Sequence, residues 1–329
     1  MSVKSPSSTA LDYLFLYSPI LFAVMSQCYG QGSIGVCNGC KGSNLPSEQE
    51  VVELYKSNGI QRMRIYSPLQ ATISALKGFD IELIVDVPRE DLESLQSNAT
   101  QPYFLATKIC YIVVGNEVDR ENGQTSHFVP FVLPAMQSIY RALSTFGLQE
   151  DIKVSTATYS AVIMDAYPPS KASFKDMSFM GPIINFLAQT GAPLHANIYP
   201  YFGYIGDTER VVVQDSEYGY TNLFDAMVDA MYSAVEKAEG PNVEIIVSES
   251  GWPSDGGLGA SMENANSYYK NLIDHVKKGT PRRPGNAIQT YLFAMFYENQ
   301  KPGAPTEQHF GLFYPNKEQQ YPKISFNNL

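Results

Sequence analysis

Two glutamates stand where short apolar runs stop. In "YIVVGNEV" Glu117 follows Ile112, Val113 and Val114, and in "IIVSESGWPSDGG" Glu249 follows Ile245, Ile246 and Val247. Two carboxylates at strand ends, with no metal ligands beside them, suit glycoside hydrolysis. One gives and takes a proton, its pKa raised by its neighbour and by partial burial, while the other stays ionised and attacks the anomeric carbon. Strand-ending glutamates also serve as helix caps and ion-pair partners, so their surroundings must decide. Asn116, beside Glu117, offers an amide to the sugar hydroxyl next to the reacting carbon. Trp252, the only tryptophan, offers a flat face to a sugar ring or else packs its loop against the rim of the fold. Rival chemistries lack their residues. The four histidines (His127, His195, His275, His309) form no HExxH, and the chain has no GxSxG elbow and no P-loop. No cofactor and no metal is expected.

The elements that must carry these glutamates alternate in type. Strand-like runs lie at Ser33–Cys37, Gln61–Tyr66, Ile81–Val87, Tyr111–Val118, Val154–Thr158, Leu194–Tyr199, Val243–Ser250 and Ala287–Phe296. Several are apolar without strict alternation, as strands covered on both faces of a parallel sheet are. Between them lie amphipathic stretches. Ser47 and Glu50 form a capping box before a helix that Gly59 stops. Further helices are predicted over Pro134–Gly147, Gly181–Gly191, Asn222–Gly240 and Glu263–Gly279. The pattern predicts an α/β fold, a (β/α)₈ barrel with its active site at the C-terminal ends of the strands. On that frame Glu117 ends the fourth strand and Glu249 the seventh, facing each other across the mouth. "GQGSIG" at 30–35 matches GxGxxG but precedes a strand instead of following one, so a dinucleotide site is excluded by context.

Composition agrees. Of 329 residues, 44% are apolar and 17% charged, enough for a large core, and the net charge of −10 excludes nucleic acid and anionic membrane as main partners. Residues 1–32 read as a secretory signal peptide, with Lys4 before the apolar Leu11–Met25 and small residues near Gly32, leaving a catalytic domain over 33–329. Removal of the signal leaves Cys37, Cys40 and Cys110, an odd number that does not make a disulfide framework. "CNGC" has redox or zinc spacing, but nothing nearby completes a tetrahedral site. Asn98 heads a glycosylation sequon.

Together "IGVC", "NLPS", "RMRIYSP", "VGNEV", "NIYPYF", "VSESGWPS", "TYLFAMF" and "HFGLF" run in consistent order from Ile34 to Phe326. They resemble the plant endo-β-1,3-glucanases of glycoside hydrolase family 17. The resemblance implies a (β/α)₈ barrel and retaining endo-hydrolysis of linear β-1,3-glucan, with Glu117 as acid/base and Glu249 as nucleophile. It implies substrate contacts at Tyr66, Tyr199, Phe202 and Phe310. It also implies a charged cluster of Glu298, Lys301 and Glu307, whose lysine would keep Glu249 ionised. The chain departs from the family pattern at Asn38, Cys40, Cys110 and Tyr297. Two stretches are also short. Between Asn98 and Tyr111 the helix outside the third and fourth strands is shortened or missing, and between Asp207 and Val211 one arm of a hairpin beside the cleft is missing. Uncovered apolar strand surface costs about 25 cal/mol per Å². Two alternatives therefore stand beside the glucanase: a catalytically impaired glucan-binding relative, and a β-1,3-1,4-glucanase of the same family. The C-terminus "ISFNNL" has no lipid-anchor tail and resembles acidic extracellular members more than vacuolar ones. The expectation is a secreted monomer of the cell wall or extracellular space, off the membrane once the signal is removed, in plant defence or glucan turnover.

Overall fold

The computed structural model describes residues 34–95, 108–206, 213–321 and 324–326. The expected signal segment and Asn98 lie outside the described residues. Eight strands close into a barrel: β1 (Ile34–Asn38), β2 (Arg62–Ile65), β3 (Glu82–Val87), β4 (Ile109–Asn116), β5 (Lys153–Tyr159), β6 (Leu194–Asn197), β7 (Ile245–Ser250) and β8 (Thr290–Leu292). Every neighbouring pair is parallel, and β8 closes onto β1 through Ile34 opposite Thr290. Each strand matches one of the apolar runs, because a barrel strand is buried on both sides. Outward residues such as Val36, Leu83, Val85, Ile112, Val114 and Val247 pack beneath the helices. Inward residues such as Cys37, Ile84, Tyr111, Val113, Ile246 and Tyr291 fill the interior.

The helix α1 (Glu48–Ser57) has the capping box of Ser47 and Glu50, and Gly59 follows it in the left-handed region at φ 71°. Two helices begin earlier than the prolines suggest. One spans Val129–Thr145 with Pro134 inside it, and another spans Met177–Thr190 with Pro182 inside it, capped by the Asp176 carboxylate on the Phe179 N–H. A proline removes one backbone hydrogen bond. Burying Val129, Val132 and Met180 in the upstream turns outweighs that loss. Between β3 and β4 the described residues hold a helix of one turn, Leu92–Leu95, whose Leu92 is fully buried. Val213–Asp215 pairs antiparallel with Tyr218–Tyr220, and its Asp215 accepts from the Ser170 N–H and hydroxyl.

In the full chain, before any signal removal, Cys110 is disulfide-bonded, whereas Cys37 and Cys40 carry free thiols. Burial holds the Cys37 thiol well above its ordinary pKa, so it stays protonated at neutral pH, whereas Cys40 is exposed.

Candidate active site

Side chains alternate across a strand, so consecutive residues normally point to opposite faces. At the mouth of this barrel they do not. The register of β4 against β5 slips between Val113 and Asn116, and that of β7 slips after Val247 against both its neighbours. Such bulges re-aim side chains. Here they bring Asn116 and Glu117 into one cavity, and likewise Ser248 and Glu249 into one hydrogen-bond network. Gly115 takes φ 74° at the first slip, and Glu117 itself sits at φ 53°, uncommon for a residue with a Cβ. The Thr156 hydroxyl donates to the carbonyls of Val114 and Gly115, at 2.8 and 3.0 Å, satisfying groups that the irregular ladder leaves over.

The two glutamates are joined through side chains below the mouth. Arg64, fully buried on β2, grips Asp86 of β3 with two bonds of 3.0 and 2.7 Å. Its other amino group donates to Glu249 at 2.9 Å, to the Ser248 carbonyl at 3.0 Å and to Asn197 Oδ1 at 3.2 Å. Asn197 Nδ2 then donates to Glu117 at 2.8 Å and to Asn116 Oδ1 at 3.1 Å. Tyr66 and Tyr199 add their hydroxyls to opposite oxygens of Glu249, at 2.8 and 2.7 Å. Burial foremost, with the charge of Glu249 contributing, holds both phenols well above their ordinary pKa, so both remain donors.

The two carboxyls therefore live in unlike surroundings. Glu249 faces one guanidinium and two hydroxyls. Glu117 has one amide donor and is desolvated. Burial, followed by the charge of Glu249, raises its pKa to about 7. A carboxyl still protonated near neutrality, beside a second carboxyl held by cationic and hydroxyl donors, is a matched pair for acid and nucleophile.

The cavity at the mouth measures about 1100 Å³. Its lining includes Tyr66, Asn116, Glu117, Tyr199, Phe202, Glu249, Glu298, Lys301, Glu307 and Phe310. Tyr199 meets Phe202, Phe293 and Phe310 edge to face, which gives the cleft an aromatic side. Phe202 is 46% exposed there. Glu298 is buried, its carboxyl raised by desolvation, and it accepts the Lys41 N–H at 2.8 Å. Gly39 lies so close that a Cβ would fall 2.3 Å from a Glu298 oxygen.

Trp252 and Lys301 make contacts other than the expected ones. Trp252 is not among the lining residues. Its indole packs between Tyr201, Tyr204 and Tyr268 and donates to the Gly259 carbonyl at 2.9 Å, so it braces the loop after β7. Lys301 pairs with Glu307 at 3.0 Å and lies over the Phe293 ring, whereas Arg64 is the cation bonded to Glu249. Arg64, Asp86 and Asn197 were missed by sequence reasoning. The available signal was charge or amide inside strand-like runs, since a buried charge needs a partner.

Residues 34–326 match the family described as glycosyl hydrolases family 17. The glucan endo-1,3-beta-glucosidase of Vitis vinifera is 54% identical over 331 residues, covering 93% of this chain and 95% of that protein. The acidic isoform GI9 of the same enzyme from Nicotiana tabacum is 51% identical, covering 92% and 93%. The grape alignment is longer than the share of this chain it uses, so the relative carries segments that this chain lacks. Among solved structures, CJP38, a beta-1,3-glucanase and allergen of Cryptomeria japonica pollen, superposes with a TM-score of 0.85 at 44% identity, covering 90% of this chain and all of that one. A plant beta-glucan endohydrolase, one of two with distinct substrate specificities, gives 0.81 at 42% identity, covering 88% and 99%. With a closed parallel barrel, glutamates at the ends of its fourth and seventh strands lining one cavity, and relatives matched over nearly their whole length, the chain belongs to glycosyl hydrolases family 17.

Proposed function

We propose that the protein is an endo-β-1,3-glucanase acting by double displacement. The observation that carries the mechanism is the contrast between Glu117, protonated up to about pH 7, and Glu249, held by Arg64, Tyr66 and Tyr199 in the same cavity. In the first step a Glu249 oxygen bonds to the anomeric carbon and the glycosidic C–O bond breaks. Its electron pair stays on the leaving oxygen, which takes the proton of Glu117. In the second step Glu117 removes a proton from water, whose oxygen displaces Glu249 and restores the β-configuration. A large cavity lined by aromatic rings and carboxylates suits several units of a neutral sugar polymer. The names of the grape and tobacco relatives support β-1,3 linkages as substrate.

The test is digestion of laminarin and of a mixed-linkage β-1,3-1,4-glucan, followed by proton NMR. The expected result is cleavage of laminarin in preference, with β-anomers appearing first, and a loss of at least about 10³-fold in Glu249→Gln. Equal activity in that variant, or α-anomers first, would overturn the mechanism. We also infer export to the extracellular space, supported by Lys4 ahead of the apolar Leu11–Met25 run, the pattern of a secretory leader. Asn98 would then be open to glycosylation.

A further inference from the structure

Behind the wall that carries Glu298, Glu307 and Phe310 lies a second cavity of about 410 Å³, within the range of small-molecule sites. The wall is shared. Glu298 faces the cleft while Tyr297 faces the second cavity, and Glu307 and Phe310 face the cleft while Gln308 and His309 face the second. The same two segments thus contribute side chains to both hollows.

The second hollow has a distinct chemistry. Tyr297 stands edge-on to His309, with ring centres 5.5 Å apart, and tilted against Tyr314 at the same separation. Tyr314 and Met262 are 38% and 44% exposed, so the aromatic cluster opens to solvent. Among the described residues the lining contains one carboxylate, Asp255, and no lysine or arginine, so an anion would meet no fixed counter-charge from them. Gln308 donates its amide to the Lys301 carbonyl, leaving its Oε1 as an acceptor. The floor is held firmly: the Ser254 N–H donates to the His309 carbonyl at 3.0 Å, and the Ser254 hydroxyl meets the Tyr297 hydroxyl at 2.5 Å. An exposed aromatic face with polar groups around it, and no lysine or arginine among the described lining residues, match a neutral polyhydroxylated ring.

We propose that this cavity is an accessory binding site for neutral β-glucan, holding a glucosyl unit of the polymer apart from the catalytic cleft. It rests on the glucanase reading above, because that reading supplies the polymer. No pair of carboxylates faces this hollow, so it binds without cleaving. A short oligosaccharide filling only the cleft gains nothing from it, whereas an insoluble glucan presents further chain segments to it.

The test compares Tyr314→Ala, Tyr314→Phe and Met262→Ala with the parent. In a Glu249→Gln background, depletion onto insoluble β-1,3-glucan is measured. With Glu249 intact, kcat/KM is measured on a short soluble β-1,3-gluco-oligosaccharide, and melting temperature verifies folding. The expected result is polymer binding weakened about fivefold by Tyr314→Ala and retained by Tyr314→Phe, with oligosaccharide turnover unchanged. Met262→Ala, on a separate element, should weaken polymer binding in the same selective way. Unchanged polymer binding in both alanine variants overturns the site, and so does an equal loss of oligosaccharide turnover, which would make Tyr314 a support of the cleft. Failure of the parent itself to cleave the oligosaccharide would remove the glucanase reading and this proposal with it, an outcome distinguishable because no variant is needed to see it.

Discussion

Glu117 and Glu249 are one residue type in unlike company, and the company assigns their roles. Burial is the larger cause of the raised Glu117 pKa, and the charge of Glu249 is the second. Because the folded value lies above the ordinary one, Glu117 carries its proton at acid pH and loses it as pH rises through about 7. The expected pH profile of kcat/KM therefore has an alkaline limb near 7, where the general acid is discharged. In Glu249→Gln the second cause vanishes and the first remains. A carbon-NMR titration of the Glu117 carboxyl should then show its pKa falling below that of the parent while staying above the ordinary glutamate value. An unchanged value would mean that the two carboxyls are not electrostatically coupled. Arg64 sits at the centre of this arrangement. Its planar fork binds Asp86 with two bonds and Glu249 with another, and a lysine has no such geometry.

At the scale of elements, the barrel strands are regular until the residues that matter. The slips in β4 and β7 convert an alternating ladder into one that turns neighbouring side chains toward the same network. Gly115 is the hinge of the first slip. Its φ of 74° disfavours any side chain, and an added Cβ would stand 3.2 Å from Leu92 and 3.3 Å from Val118. Gly115→Ala should destabilise the fold by about 1–2 kcal/mol, read from chemical denaturation. It should also lower kcat by at least about tenfold, because Glu117 is two residues away and catalytic groups tolerate little displacement. Loss of stability with kcat intact would show that the slip serves packing and not the site. Trp252 teaches the complementary lesson: a residue close to the nucleophile in sequence can belong to the scaffold of its loop.

At the scale of the molecule, the net charge of −10 meets a neutral substrate. Long-range steering then contributes little, so KM for an uncharged β-1,3-glucan should change less than about twofold between low and high salt. A carboxymethylated glucan, repelled by the acidic surface, should bind better as salt rises, and steady-state kinetics at several ionic strengths will show both. The sequence alone determined the order of strands and helices, because strands buried on two faces must be apolar runs and helices must show a periodic stripe. It also determined which carboxylates end those strands. The upstream turns of the helices containing Pro134 and Pro182 escaped it, since local proline rules count a lost hydrogen bond but not the tertiary burial that outweighs it. Only the tertiary structure decided how Glu117 and Glu249 differ. Residues 64, 86, 116, 197 and 249 lie on five separate strands, and each looks like an ordinary barrel position until closure brings them within hydrogen-bond reach. Charge inside a barrel is tolerable only when every partner arrives together, and that is a property of the closed sheet, not of any stretch of chain.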